Sequence, residues 1–239
     1  MEIISRIRKA AAATQAIAGA RLRQIGQSGN LPTYLDVGAR GGLPARWQLA
    51  YRAGLIRPVF VEPDPGEAAR LSSRYPGVLV IPNALGDVDG QAAELKVTRE
   101  PGRSSMLEPD IDVLRAFGAS PWEVTQRLPL SLRRLDKVWP AGLAPPCFVK
   151  VDVQGFELNV LKGFGELLNS VLCIELEVVL VPLYRSQPHL VEIVDFLRAN
   201  GFGLVRLASM GLYAKREMIE FNAFWVRQSG HSSAGVRLW

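Results

Sequence analysis

The sequence predicts a doubly wound α/β domain built on a mostly parallel, seven-stranded sheet with an antiparallel last strand. Short apolar segments of strand length alternate with amphipathic segments of helical length along most of the 239 residues, which is typical of repeated βαβ units. The last two strand segments follow one another without a long helix between them, which favours an antiparallel end. Acidic or amide residues follow several strand segments, and sheets of this class bind ligands at those ends.

Seven apolar, β-prone segments are expected to form the core sheet. They begin at Tyr34, Val59, Val78, Cys147, Val171, Gly203 and Asn222. Helices are expected from near Pro44, over residues 66–74, from residue 157 to Leu168 and over residues 189–200. An inserted antiparallel strand is predicted at 95–97, an edge strand at 124–130 and a short helix at 132–138.

The first predicted strand runs into a glycine loop that contains Gly38 and Gly42. Glycine suits a loop whose backbone a cofactor approaches closely, although an ordinary βα turn would also explain it. A dinucleotide fingerprint would need glycine at Arg40 and Leu43, so a nicotinamide-dependent oxidoreductase is disfavoured. Asp36 before the loop instead favours the cationic cofactor S-adenosylmethionine, whose ammonium group is attracted to a carboxylate.

The ends of the following strands carry further candidate residues. Glu62 ends the second strand, where an acidic side chain accepts hydrogen bonds from two ribose hydroxyls. The loop after the third strand is expected to lie over the adenine, which assigns Asn83, Ala84 and Leu85 to the base edge. Asp152 ends the fourth strand. We therefore expect a nucleoside site along this edge of the sheet.

Glu175 and Glu177 stand within the apolar fifth strand segment. Residues two apart share one face of a strand, so both carboxylates are expected on the same side. Their burial would cost several kcal/mol unless they have partners. The two interpretations are a solvated strand end and a wall of the active site.

The net charge of +5 is concentrated at the N-terminus, since residues 1–30 hold five basic residues against Glu2 alone. The rest lacks a basic stripe interleaved with aromatic residues, which argues against nucleic acid as a partner. Apolar residues recur at helical spacing over residues 3–25, which predicts a helix that packs on the domain or on a second copy of the chain. A basic amphipathic helix in peripheral contact with a membrane, through residues 1–25, is the alternative.

No apolar run approaches the length of a transmembrane span, and a signal peptide is not expected. Cys147 and Cys173 are interpreted as buried apolar residues, so a reducing, cytoplasmic location is expected. The predicted organisation is an N-terminal helical extension at 1–30, one catalytic domain at 31–228 and a flexible tail at 229–239.

The order of motifs resembles the FkbM-type S-adenosylmethionine-dependent methyltransferases. The most specific stretch is Lys150-Val-Asp-Val-Gln-Gly-Phe-Glu157, which continues to Gly163. Asp36-Val-Gly-Ala, Phe60-Val-Glu-Pro-Asp64, Asn83-Ala-Leu-Gly-Asp87 and Ser104-Ser105 precede it in the family order, and Ile174-Glu175, Pro182-Leu-Tyr184 and Ala223-Phe-Trp-Val-Arg227 follow it. Three positions depart from the usual pattern: Arg40 replaces asparagine, Gln154 replaces glutamate and Asn222 replaces the common aspartate.

The resemblance implies a Rossmann-like class I methyltransferase fold and O-methylation of a hydroxyl on a sugar, glycoconjugate or secondary metabolite. It adds Ser105 and Asp152 to the cofactor-binding residues already proposed. An N-methyltransferase of a small molecule or peptide, and a non-catalytic cofactor-binding scaffold, are the alternatives. If the chain is such a non-catalytic scaffold, Arg40 and Gln154 are the departures from the family pattern that would accompany the loss of activity.

An alcohol acceptor needs a general base or a metal that acidifies it. Asp152 is the first candidate for the base, followed by Glu175, Glu177 and His189. His189 also begins the helix predicted over residues 189–200, and the alternative is that it only starts this helix. Asp152, Glu175 and Glu177 together form an oxygen-only ligand set that suits Mg²⁺. The sequence does not identify the acceptor or the oligomeric state.

Overall fold

The computed structural model of the chain describes residues 31–118, 122–211 and 218–228. The predicted N-terminal helix and the predicted C-terminal tail lie outside these residues. The strands are β1 (Thr33–Val37), β2 (Arg57–Val61), β3 (Leu79–Ile81), β4 (Ala84–Leu85), β5 (Ala92–Thr98), β6 (Val124–Arg133), β7 (Pro146–Val151), β8 (Cys173–Val179), β9 (Phe202–Ser209) and β10 (Glu220–Arg227). The α-helices are α1 (Ala45–Arg52), α2 (Pro65–Arg74), α3 (Ile111–Ala116), α4 (Leu135–Val138), α5 (Glu157–Lys162) and α6 (Leu190–Ala199), and single 3-10 turns occupy Pro101–Arg103 and Gly165–Ser170.

The main sheet has seven strands in the order β3-β2-β1-β7-β8-β10-β9. Neighbouring strands from β3 to β8 pair in parallel, whereas β10 pairs antiparallel with both β8 and β9. The predicted fold class, a mostly parallel doubly wound sheet with an antiparallel last strand, is therefore confirmed. Chain order reverses between β1 and β7, which is the switch point where such sheets bind ligands.

The two faces of the sheet carry different cores because side chains alternate along each strand. On one face, Leu35 and Val37 of β1 join a large cluster that includes Leu161 of α5 and Leu197 of α6. On the other face, Tyr34 joins an aromatic cluster with Trp47, Phe60, Tyr75 and Phe148 beneath α1 and α2. Asp36 shares the face of Tyr34, so the parity of β1 directs it toward the aromatic layer.

A smaller sheet, ordered β4-β6-β5, flanks the main one. Strands β5 and β6 pair antiparallel, as expected for the inserted segment, but both are longer than the predicted strands. Leu132 and Arg133, which were expected in a helix, continue β6 because they pair in parallel with Ala84 and Leu85. The predicted helix up to Leu168 ends at Lys162 and is followed by the 3-10 turn Gly165–Ser170.

No helix in the described ranges has the length and apolarity that would let it cross a membrane.

Candidate active site

A cavity opens beyond the carboxyl ends of β1, β2 and β7, under the loop that follows β5. Seven residues predicted from the sequence line it: Gly38, Glu62, Asn83, Ala84, Leu85, Ser105 and Asp152. Apolar side chains, including Leu95, Met106 and Phe156, complete the wall. Asp36, Gly42, Glu175, Glu177 and His189 are not among the lining residues. The cavity thus combines an apolar body with a few polar groups, as small-molecule sites do.

Gly38 begins the turn after β1, with a φ of 77°. A Cβ atom on this residue would lie 1.9 Å from the carbonyl oxygen of Asp152. The sequence-based explanation was the close approach of a cofactor. In the structure, glycine is required because the C-terminal ends of strands β1 and β7 approach each other closely at the floor of the cavity.

Gly42 has a φ of 83°, and a Cβ atom there would lie 2.6 Å from the ring and hydroxyl of Tyr75. The Tyr75 hydroxyl accepts a hydrogen bond from the backbone N–H of Leu43 at 3.1 Å. Gly42 therefore anchors the loop against the aromatic layer and does not face the cavity.

Glu62 lies at the end of β2 with only 4% of its surface exposed. Its Oε1 accepts a hydrogen bond from the backbone N–H of Asp64 at 3.0 Å, which fixes the carboxylate at the cavity wall. Burial raises the pKa of Glu62, and this hydrogen bond opposes the rise. Asp64 caps α2 and accepts a 2.9 Å hydrogen bond from the guanidinium of Arg40, which also lines the cavity.

The loop at Asn83 and the loop at Ser105 approach the cavity from the smaller sheet. Asn83 precedes β4, whose Ala84 and Leu85 are both buried. The Ser105 hydroxyl donates a 2.7 Å hydrogen bond to the backbone carbonyl of Gln154. Ser105 thus joins the inserted loop to the loop after β7.

Asp152 directly follows β7 and is held by two side chains. Its Oδ2 accepts a hydrogen bond from the Lys150 ammonium at 2.9 Å, and its Oδ1 accepts one from the Gln154 amide at 3.2 Å. Burial acts to raise the pKa of Asp152, but the Lys150 charge and the hydrogen bonds from Glu177, Lys150 and Gln154 lower it overall. Asp152 is therefore ionised at neutral pH.

A row of charged residues crosses the sheet beneath α1 and is separate from the cavity wall. Asp36, Lys150 and Glu175 are register partners on the adjacent strands β1, β7 and β8. The Lys150 ammonium lies 3.7 Å from Asp36 Oδ1, which has no hydrogen-bond partner in the described part of the chain. Burial raises the pKa of Asp36 to about 7, against the opposing charge of Lys150.

Both glutamates of β8 are buried, so the strand end is not solvated. Glu175 forms an ion pair with Arg46 of α1, and Glu177 accepts a hydrogen bond from the Gln154 amide. Burial and the charge of Asp152 raise the pKa of Glu177 to about 10. The described residues contain no group of three or more His, Cys, Asp or Glu side chains arranged to hold a metal ion. The predicted Mg²⁺ set of Asp152, Glu175 and Glu177 is therefore not supported.

The structure does not bring His189 to the cavity. It is the exposed N-cap residue of α6, and its backbone N–H donates a 2.7 Å hydrogen bond to Glu192. This arrangement corresponds to the alternative that the sequence left open, a residue that begins a helix.

Glu157 is a buried residue next to the site, and the sequence reasoning gave it no role. It is 3% exposed, and its Oε1 accepts hydrogen bonds from the backbone N–H groups of Val153 and Gly155, both at 3.1 Å. Burial raises its pKa to about 7, against these hydrogen bonds. Glu157 is the first residue of α5, five residues after Asp152, so its side chain can accept hydrogen bonds from the backbone of the loop before the helix. Glu157 thus shapes the loop that carries Gln154.

The cavity wall carries two carboxylates, one on each side of β1. Glu62 offers a fixed carboxylate for hydroxyls on one side, and Asp152 offers an ionised carboxylate on the other. The apolar side chains between them suit a base or ring.

Comparisons with known structures give low identities. The chain is similar to magnesium protoporphyrin IX methyltransferase from Synechocystis PCC 6803, solved with bound SAM, at 13% identity over 90% of this chain and 79% of that one, with a TM-score of 0.41. It is also similar to precorrin-6y C5,15-methyltransferase from Geobacter metallireducens GS-15, at 12% identity over 90% and 87% of the two chains and a TM-score of 0.39. For 1,6-didemethyltoxoflavin-N1-methyltransferase from Burkholderia thailandensis the identity is 15% over 91% and 79%, with a TM-score of 0.37.

No curated protein matches the chain significantly. The family model for the methyltransferase FkbM domain matches residues 36–204, which is more than two thirds of the chain. This match includes the last two residues of β1, all of β2 and β7, and the loops that line the cavity. The chain therefore belongs to the FkbM methyltransferase family.

Proposed function

We propose that the chain is an S-adenosylmethionine-dependent O-methyltransferase whose acceptor is a hydroxyl of a sugar, glycoconjugate or secondary metabolite. The observation that carries this proposal is the presence of two carboxylates in one cavity. Glu62 lies at the end of β2 and Asp152 at the end of β7, on either side of the switch point next to β1.

The chemistry of the wall fits the cofactor. Glu62, which the backbone of Asp64 holds at the cavity wall, would accept hydrogen bonds from the two ribose hydroxyls. Asn83, Ala84 and Leu85 form the wall next to it, where the adenine would lie against apolar side chains. Bound S-adenosylmethionine supplies a methyl group carried on a positively charged sulfur.

Asp152 would handle the acceptor's proton. Lys150 keeps its carboxylate ionised, so it can accept a hydrogen bond from a hydroxyl and orient the oxygen lone pair toward the methyl group. The hydroxyl proton becomes strongly acidic as the new C–O bond forms, so even a carboxylate of low pKa can take it. Asp152 therefore serves as acceptor-orienting group and as general base.

Calorimetric titration tests the cofactor assignment. We expect S-adenosylmethionine and its demethylated product to bind with micromolar affinity and NADH not to bind. Glu62→Ala should weaken binding at least tenfold, because two charge-assisted hydrogen bonds are lost. Glu123→Ala is the matched control, since Glu123 is an exposed carboxylate paired with Arg99, and it should bind as the wild type does.

A screen of hydroxyl and amine acceptors, read by mass spectrometry, tests the reaction. We expect methylation of hydroxyls, and we expect Asp152→Asn to reduce the rate by roughly 10²-fold or more. Methylation of amines alone would overturn the O-methyl assignment. Binding of NADH in place of both adenosyl compounds would overturn the cofactor assignment.

A further inference from the structure

The carboxamide of Gln154 joins three side chains beside the cavity. Its Nε2 donates hydrogen bonds to Oδ1 of Asp152 and to Oε2 of Glu177. Its Oε1 accepts a hydrogen bond from the Tyr184 hydroxyl at 2.9 Å, which the hydroxyl shares with the backbone carbonyl of Arg103 at the same distance. Gln154 is therefore the common neighbour of an ionised carboxylate, a second carboxyl group and a phenol.

An amide in this orientation satisfies all three neighbours. One oxygen of Asp152 and one oxygen of Glu177 each accept a hydrogen bond here, and an amide NH₂ group offers two N–H bonds. The flipped amide would place its oxygen against both carboxyl groups and its NH₂ group against the tyrosine. A glutamate in place of Gln154 would add a third carboxylate and, when ionised, would donate nothing.

The backbone at Gln154 is held in an unfavourable conformation by hydrogen bonds with neighbouring side chains. Its φ is 56°, in the left-handed region, which is unfavourable for a residue other than glycine. The Ser105 hydroxyl holds the Gln154 carbonyl at 2.7 Å, and Glu157 holds the backbone N–H groups of the residues on either side. Strain of this kind is concentrated at functional sites. Here it turns the carboxamide toward the two carboxyl groups.

Charged groups from several elements surround this pair. Lys150 of β7 holds Asp152, and Glu157 of α5 and Glu220 of β10 add negative charge near Glu177. Arg103, which forms a 2.8 Å ion pair with Glu220, adds positive charge near Glu177. On the sheet, Asp36 and Glu175 act on Lys150. The balance of these charges leaves one proton on Glu177 and none on Asp152.

We propose that Gln154 is a positioning residue, whose carboxamide holds Asp152 in the cavity wall next to Glu177 and joins both to Tyr184. The inference rests on the proposed function, because Asp152 is the carboxylate that faces the cofactor and acceptor. It assigns to Gln154 a role opposite to a loss of activity, since the amide supplies donors that the usual glutamate lacks.

Binding of S-adenosylmethionine to Gln154→Glu at several pH values tests the inference. When the introduced carboxyl group is protonated, it has one O–H donor and one carbonyl oxygen, so it can bond one carboxyl group and Tyr184. When it is ionised, it repels Asp152 and displaces it from the wall. We therefore expect the dissociation constant, divided by that of the wild type at the same pH, to rise about tenfold between about pH 6 and about pH 8.

Gln126→Glu is the matched control, since Gln126 is an exposed residue of β6 and receives the same change of charge. The dissociation constant of this variant, divided by that of the wild type, should be independent of pH. Groups that titrate in the wild type and in both variants change all three dissociation constants alike, so their effect cancels in the ratios. Tyr184→Phe should weaken binding at every pH, because the carboxamide loses the donor that fixes its orientation. A flat ratio for Gln154→Glu would overturn the inference. Failure of the wild type itself to bind S-adenosylmethionine would instead overturn the proposed function.

Discussion

Alanine at Gly38 should destabilise the protein far more than alanine at Gly41, although both glycines have nearly the same backbone conformation. Their φ angles are 77° and 85°, so each substitution forces an alanine into the left-handed region. That strain costs about 1–2 kcal/mol at either position. The difference between the two variants therefore reports the space around each Cβ atom.

The space available to an added Cβ atom differs between Gly38 and Gly41. At Gly38 the new Cβ would lie 1.9 Å from the Asp152 carbonyl oxygen and 3.0 Å from its carbon, so backbone must move. At Gly41 nothing lies within 4 Å among the described residues. Overpacking in a closed site costs typically about 1–3 kcal/mol. We expect Gly38→Ala to lose about 2–5 kcal/mol of unfolding free energy and Gly41→Ala about 1–2 kcal/mol.

Urea denaturation measures both losses, and an unchanged m-value would show that the variants unfold as the wild type does. Gly38→Ala should also weaken S-adenosylmethionine binding, because the displaced Asp152 belongs to the cavity wall. Gly41→Ala should leave that binding unchanged. Equal destabilisation by the two variants would refute the explanation, since it would mean that φ alone, and not the approach of β1 to β7, requires glycine at Gly38.

Three further substitutions test the buried charges and the core. Burial raises the pKa of Asp36 from 3.8 to about 7, so the folded protein holds this proton more tightly than the unfolded chain and loses stability as the pH rises through that window. Asp36→Asn should therefore gain about 4 kcal/mol relative to the wild type between about pH 4 and about pH 8, measured by urea denaturation at each pH. Lys150→Met should lose about 3–5 kcal/mol at neutral pH, because Asp36 and Asp152 lose their shared cation, and adding Asp36→Asn should recover part of that loss in the same measurement. Phe164→Ala should lose about 3–5 kcal/mol, since Phe164 is 0% exposed, and a thermal unfolding midpoint close to that of the wild type would contradict its place in the core.

The succession of strands along the chain and the edge of the sheet that carries the cavity could be predicted from the sequence because both follow from local patterns. Alternating apolar segments fix the βαβ units, and the polar residue that follows each strand lies at the same edge of a parallel sheet. Glu62 and Asp152 were predicted in this way, and both line the cavity.

The direction of individual side chains was harder to predict. Asp36 was assigned to the cofactor because it stands near the end of β1, but it shares the face of Tyr34 and points toward Lys150. The two-residue period of a strand contains this information. Gly42 was assigned to the cavity from its spacing, whereas its contact with Tyr75 joins residues far apart in the chain. Contacts of that kind depend on how α1 and α2 cover the sheet, which local patterns do not specify.

The two amides that depart from the family pattern have a common physical explanation. Gln154 donates a hydrogen bond to Glu177, and Asn222 of β10 is the direct register partner of Glu177 in β8. Partners that face each other across an antiparallel pair share one side of the sheet. With Asp152 already beside Glu177, a carboxylate at either position would place a further negative charge against a buried pair. The sequence showed Gln154 and Asn222 as separate departures from an acidic residue, but in the fold both lie next to one buried glutamate.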